Sequence, residues 1–346
     1  MWPHRLTDNT GPSRGAVTHV IILDGTLSSL EPADRTNVGR AYALLRERPG
    51  KVSIYYEPGL QWSDWRSALD VLMGGGINSQ IKRAYGYLAS RYQPGDRIFM
   101  LGYSRGAFAV RSLAGVLDWV GLVRAEHATQ RNIRAAYRHY EFMTNRETRD
   151  AFKQRHCHDA IEIEAIGVWD TVKSLGINAP VLWRISERWH AFHNHDLGAI
   201  VKNGFHAMAL NETREAYKVV LWDSHDGFDG RVEQVWFPGA HGDIGGQLGG
   251  FEAARPLANI PLVWLLSRLE ECGLSLPVGW NLRFPQDACA PSVGTWRGYG
   301  RVFMTRRKRI VGRDASERLH ESVTQRERGR KEKPLPFGLF RWGRST

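Results

Sequence analysis

The sequence is poor in cysteine and has no long apolar run. Its 346 residues include 3 cysteines, which are far apart and form no C-x-x-C pair. Thiols so few and so scattered exclude a disulfide framework and indicate synthesis in a reducing compartment. No stretch approaches the length that spans a bilayer, and residues 1–15 are polar without the apolar core of a signal peptide. We therefore expect a protein that is cytoplasmic at synthesis and has no transmembrane segment.

Metal-binding patterns are also scarce. The histidines of "RHCHD" (155–159) are too closely spaced for a tetrahedral zinc site, which takes its ligands from separate segments. Those of "WHAFHNHD" (189–196) are typical of surface polar contacts. We expect neither a metal nor a cofactor.

Positive charge is abundant, but it is concentrated at one end. The formal net charge is +11, and residues 297–346 hold fifteen Lys and Arg against five Asp and Glu. Such a basic extension attracts anionic partners, and we expect an anionic membrane surface in preference to nucleic acid. The alternative is a solvated tail with no fixed partner.

The remaining chain alternates between strand-like and helix-like segments. Strands are predicted at 16–26, 51–57, 97–103, 160–170 and from 232, with helices between them; we expect 205–220 to be mostly helical. This alternation predicts an α/β fold with a mostly parallel central sheet, helices on both faces and helical insertions. The predicted domains are a polar segment (1–15), a catalytic domain (16–290) and a basic C-terminal extension (291–346). Residues 172–204 form an insert that is either a lid over the site or a packed extra helix.

A serine stands at the junction of the third strand and the helix after it. Gly102 and Gly106 flank Ser104 in the G-x-S-x-G pattern, which permits a sharp turn with a strained serine at its apex. The turn would expose the hydroxyl at a helix N-terminus, where developing negative charge is stabilised. The pattern predicts a nucleophile, and the alternative is a purely structural turn.

A base and an orienting carboxylate follow in the order that hydrolases of this architecture use. Asp170 and His241 each come just after a predicted strand, so they should meet Ser104 at the edge formed by the carboxyl ends of parallel strands. Asp243 is a rival acid, but it lies only two residues from His241, which rarely allows the orienting geometry.

Seven blocks of sequence together resemble the α/β-hydrolase-like family that contains bacterial type VI secretion phospholipase effectors. They are "IILDGT", "TNVGRAY", "LGYSRGAFAVRSLAGVL", "GVWDTVKSLG", "HAMALNETREAY", "VWFPGAHGDIGG" and "LHESVTQR". The resemblance implies an α/β-hydrolase fold, a triad on Ser104, Asp170 and His241, and cleavage of phospholipid acyl esters. Asn211 stands where the family usually has an acidic residue, and Gln247 where it has a glycine.

The "DGT" segment ends the first strand on the same edge as the serine. The backbone N–H of Gly25 or Thr26, together with that of Arg105, is expected to form the oxyanion hole. Asp24 would repel an oxyanion, so we expect it to pair with the Arg105 side chain; the alternative is that Asp24 only caps a turn.

Three functions are compatible with these residues. One is a serine esterase or phospholipase acting on membrane lipids, released by a specialised secretion system and opposed by an immunity partner. Another is an esterase on a small or saccharide-linked ester with no membrane role. The third is a binding module whose site is idle.

Overall fold

The computed structural model describes most of the chain. It covers residues 14–47, 52–59, 76–172, 197–224, 228–296 and 305–332, apart from positions 27, 29, 33 and 34. Residues 173–196 of the predicted lid insert (172–204) lie outside the described residues, as do most of the N-terminal segment and the histidines of 189–196.

A seven-stranded sheet organises the described residues. Its strands are β1 (Thr18–Leu23), β2 (Val52–Glu57), β3 (Arg97–Tyr103), β4 (Ala165–Trp169), β5 (Asn203–Ala209), β6 (Arg231–Phe237) and β7 (Glu317–Leu319). Their order across the sheet is β2-β1-β3-β4-β5-β6-β7, and every neighbouring pair is parallel. The carboxyl ends of β1, β3, β4 and β6 therefore meet at one edge.

Helices cover both faces of this sheet, so the predicted α/β fold is confirmed. They are α1 (Asn37–Arg46), α2 (Ile77–Ala89), α3 (Arg105–Val120), α4 (Gln130–Glu141), α5 (Arg146–His156), α6 (His241–Gly245), α7 (Arg255–Glu271) and α8 (Glu321–Glu332). One apolar core joins the sheet to α2, α3 and α4, and a second joins it to α1 and α7. Among the described helices, none combines the length and hydropathy that a membrane span needs.

The predicted helix over 205–220 is wrong. Residues 203–209 form β5, which lies between β4 and β6, and helical geometry occurs only in a 3₁₀ turn at 215–217. Six of the seven β5 residues are buried. A strand covered on both faces is apolar throughout and has no alternation, so its Ala and Met resemble a helix in the sequence.

Part of the basic extension belongs to this fold. β7 pairs with β6, and Arg326 of α8 donates to the carbonyls of Ala288 and Ala290 at 2.5 and 2.7 Å. The boundary at residue 290 stays a prediction, but residues beyond it complete the sheet.

Candidate active site

Ser104 occupies a sharp turn between β3 and α3. Its φ of 57° is in the left-handed region, which is strained for a serine. A Cβ at Gly106 would lie 2.2 Å from the Leu23 carbonyl oxygen, and one at Gly102 would lie 2.7 Å from Ala107. Both glycines are therefore required for the close approach of α3 to the ends of β1 and β3.

Ser104, His241 and Asp170 meet at the edge of the sheet, although 137 residues separate the first two. Ser104 Oγ lies 2.9 Å from His241 Nε2, and His241 Nδ1 lies 2.6 Å from Asp170 Oδ2. All three residues are buried, with relative exposures of 5%, 3% and 0% for Ser104, His241 and Asp170. The contacts place the donor Nδ1–H on the carboxylate and leave Nε2 to accept from the serine.

Two tyrosines hold the His241 ring. Tyr103 stacks on it with centroids 4.8 Å apart, and Tyr217 packs on it at 4.7 Å. The backbone N–H of His241 donates to the buried carboxylate of Glu212 at 3.1 Å. Ring and backbone are thus both fixed. No sequence pattern indicates these contacts, although Tyr103 is part of the G-x-S-x-G pattern.

Asp170 has a second partner that the sequence analysis missed. Arg309 donates to both of its oxygens, to Oδ1 at 2.5 Å and to Oδ2 at 2.9 Å. The same guanidinium donates to the carbonyls of Ala209 and Tyr217 at 2.9 and 2.6 Å, and its side chain is 6% exposed. Arg309 belongs to the run "RRKR" (306–309), whose composition is typical of a solvated basic segment.

Burial and charge set the protonation of the pair. Burial opposes ionisation of Asp170, but Arg309 and His241 outweigh it and hold its pKa well below the ordinary value. Burial lowers the pKa of His241, and Asp170 opposes that shift without reversing it. At neutral pH the arrangement is therefore an ionised carboxylate and a neutral imidazole, as a general base requires.

Asp243, the rival acid, has a different role. It accepts from the N–H of Ala240 at 2.7 Å, the Ser292 hydroxyl at 2.5 Å and the N–H of Val293 at 2.8 Å. It fixes the first turn of α6 and ties residues 292–293 to it. The carboxylate on His241 Nδ1 is that of Asp170.

The expected pair between Asp24 and Arg105 is wrong. The Asp24 carboxylate accepts from Thr36 Oγ1 at 2.8 and 2.9 Å, from the Tyr56 hydroxyl at 2.9 Å and from the N–H of Gly25 at 2.7 Å. These neutral donors stabilise the carboxylate in place of the expected Arg105 guanidinium. Asp24 is buried, and burial raises its pKa to about 6 against the pull of these hydrogen bonds.

This arrangement changes the candidates for the oxyanion hole. The N–H of Gly25 is taken by Asp24, although a Cβ at Gly25 would lie 3.4 Å from the Ser104 Cβ. The carbonyl of Thr26 accepts from Gln247 Nε2 at 3.0 Å, which links the loop after β1 to the loop after β6. Gly25 is thus a poorer donor than expected, and Thr26 and Arg105 stay as predictions.

Metal ligation has no support in the part of the chain that the structure describes. No group of three or more His, Cys, Asp or Glu side chains there is placed to hold an ion.

The fold and the serine turn define an α/β-hydrolase-like protein. The family model described as "T6SS, Phospholipase effector Tle1-like, catalytic domain" matches residues 18–268. The chain belongs to this family, which confirms the resemblance noted in the sequence.

One curated relative comes from yeast. An uncharacterized protein of Saccharomyces cerevisiae is 28% identical over 226 residues, which is 58% of this chain and 32% of that protein. The chain thus spans about a third of the length of this curated relative.

Two solved structures are similar at low identity. A crystal structure of an uncharacterized Pseudomonas aeruginosa protein matches with a TM-score of 0.42 and 16% identity, covering 79% of this chain and 49% of that one. The Tle1 effector bound to the VgrG spike of the type 6 secretion system matches with a TM-score of 0.36 and 18% identity, covering 68% and 52%. At these scores the two structures carry no weight in assigning the site.

Proposed function

We propose that this chain is a serine hydrolase that cleaves the carboxylic ester bonds of phospholipids. The observation that carries the proposal is the hydrogen-bonded series from Ser104 Oγ through His241 to Asp170, with contacts of 2.9 and 2.6 Å. Serine activation needs this order of hydroxyl, imidazole and carboxylate.

Acylation begins when Ser104 Oγ attacks the acyl carbon and its proton passes to His241 Nε2. The developing oxyanion is stabilised by the N–H groups of Arg105 and Thr26 and by the N-terminus of α3. His241 then donates the proton to the alcohol oxygen as the carbon–oxygen bond breaks. The alcohol leaves, and the acyl group stays on Ser104.

Deacylation runs the same transfers with water. His241 Nε2 takes a proton from water, whose oxygen attacks the acyl carbon. The proton returns to Ser104 Oγ as the fatty acid is released. Throughout, Asp170 stays ionised and stabilises the imidazolium, because Arg309 holds its pKa low.

The family supports a lipid ester as the substrate, since its description is that of a phospholipase catalytic domain. A role as a delivered antibacterial effector, a secretion-machine partner and an immunity partner stay predictions. Because a relative occurs in yeast, membership of this family does not by itself indicate a bacterial protein or one delivered by a secretion system.

Labelling with a fluorophosphonate, followed by mass spectrometry, tests the proposal. We expect the probe on Ser104, and we expect Ser104→Ala to lose both the label and fatty-acid release from phospholipid vesicles. Ser112→Ala removes another buried serine of α3 and is the matched control, which should retain both. Hydrolysis of short soluble esters alone would favour the small-ester alternative. Absence of label and of all hydrolysis would leave a binding module and refute the proposal.

A further inference from the structure

A cleft of about 160 Å³ opens between two segments beside the triad. One wall comes from residues 214–219, after β5, and the other from 307–313, ahead of β7. The two segments are tied together by main-chain bonds, since Glu215 N donates to the Thr305 carbonyl at 3.1 Å and Arg307 N to the Thr213 carbonyl at 2.6 Å. The second wall lies beyond residues 18–268, the region that the family model matches.

The cleft carries positive charge without a compensating partner. Lys218, Arg307, Lys308 and Arg313 line it and are exposed. Within the described residues, no carboxylate pairs with any of these four side chains, and Glu215 is the one carboxylate lining the cleft. Two deeper cations are already neutralised, because Arg214 bonds Glu212 and Arg309 bonds Asp170.

The cleft adjoins the reacting atoms. The Tyr217 ring lines it and packs on His241, with centroids 4.7 Å apart. Arg309 also lines the cleft and donates hydrogen bonds to both carboxylate oxygens of Asp170. In a glycerophospholipid about five or six covalent bonds, roughly 6–8 Å, separate an acyl carbon from phosphorus. A headgroup phosphate thus lies a short distance from its ester, and the cleft is lined by two residues that contact His241 and Asp170.

We propose that this cleft binds the phosphate of the substrate's headgroup and gives the enzyme a preference for anionic phospholipids. The inference rests on the proposed function. Cations without partners are the groups that bind phosphate. Ile310, on the rim, is 60% exposed, and an apolar side chain among cations suits an amphiphile more than a free ion.

The test compares soluble substrates of one chain length that differ in headgroup. They are dihexanoylphosphatidylglycerol, which is anionic, dihexanoylphosphatidylcholine, which is zwitterionic, and dihexanoylglycerol, which lacks phosphate. Used as monomers, they exclude attraction to a charged vesicle surface. We expect kcat/KM to fall in that order, and the ratio of the first to the last to drop about tenfold in Lys218→Gln/Lys308→Gln.

Two further variants control this result. Arg131→Gln/Arg134→Gln removes the same charge from exposed positions on α4, away from the cleft, and should keep the wild-type ratio. Lys218→Arg/Lys308→Arg should restore most of the preference, which separates loss of charge from loss of folding. An equal ratio in wild type and the Lys→Gln variant, or an equal loss in the α4 control, would overturn the proposal.

Binding to the folded Ser104→Ala protein separates this inference from the proposed function. Titration with glycerophosphoglycerol, followed by NMR, should show saturable binding that the Lys→Gln pair weakens. If inorganic phosphate binds and glycerophosphoglycerol does not, the cleft is a site for free phosphate and the headgroup role fails. If wild type hydrolyses none of the three esters but this binding is seen, the proposed function fails and the anion site stands.

Discussion

Replacing Arg309 by Met should damage both stability and catalysis. The substitution keeps an apolar stem of similar length and removes the guanidinium that bonds both oxygens of Asp170. The pair is deeply buried, with side-chain exposures of 6% and 0%. Removing one member of a buried pair leaves the other charge uncompensated, at a cost of about 3–5 kcal/mol in the free energy of unfolding.

The same change should move the pH profile of activity. Without the guanidinium, the negative charge of Asp170 acts on His241 undiminished and stabilises the imidazolium, so the pKa of His241 rises. The base form is then lost at a higher pH, and the acidic limb of kcat/KM on a soluble ester shifts upward. Urea denaturation and a pH–rate profile measure the two effects on one preparation.

Arg306→Met is the matched control, because it removes the same charge from the same run. Arg306 is half-buried, and the described partners of its guanidinium are the Thr295 carbonyl at 3.2 Å, the Thr213 hydroxyl at 3.5 Å and the Trp296 ring, none of which is a carboxylate. We expect a change of about 1 kcal/mol and an unmoved pH profile. If Arg309→Met matched Arg306→Met in both measurements, the reasoning about Asp170 would be refuted.

Three further outcomes are expected. Because the pKa of His241 is lowered, kcat/KM of the wild-type enzyme should stay constant down to pH 7 and should decrease only at pH values below the ordinary histidine pKa. A decrease that begins above pH 7 would contradict this. Gly106→Ala should abolish serine labelling, since its Cβ would meet the Leu23 and Asp24 carbonyl oxygens at 2.2 and 2.4 Å; a labelled, stable variant would show that the helix can shift. Asp24→Asn should lower the free energy of unfolding by about 1–3 kcal/mol, because an amide N–H₂ would face hydrogen-bond donors. The pKa of Asp24 is raised to about 6, so the wild-type protein loses stability as pH rises from 4 through 6. The Asp24→Asn variant lacks this titration. The difference in free energy of unfolding between wild type and variant should therefore be larger at pH 4 than at pH 7, as urea denaturation at both pH values would show.

The sequence was informative where local chemistry forces one outcome. The turn at Ser104 needs glycine on both sides, so its pattern is visible in five residues. Asp170 and His241 could be placed because parallel strands bring their carboxyl ends to one edge. β5 was misassigned for a related reason, since a strand buried on both faces loses the alternation that distinguishes it from a helix.

Partners chosen by tertiary packing were not visible. The contact between Arg309 and Asp170 joins positions 139 residues apart, and neither position is marked by spacing. The predicted site places Asp24 next to Arg105, which favours an ion pair. In the structure, the hydroxyls of Thr36, the N-cap of α1, and of Tyr56, on β2, reach the Asp24 carboxylate instead. Such choices depend on how helices and strands meet, which composition does not encode.

The basic run at 306–309 shows why net charge alone is a poor guide to the role of a segment. A buried guanidinium is stabilised when it pairs with a buried carboxylate, and Arg309 pairs in this way with Asp170. Arg307 and Lys308 stay exposed on the cleft wall, where no described carboxylate pairs with them. Residues of one short segment thus have two roles: Arg309 sets the protonation of the triad, and Arg307 and Lys308 place cations beside it. Neutralising Lys308 should therefore alter the choice of substrate, whereas neutralising Arg309 should alter the pH at which any substrate is cleaved.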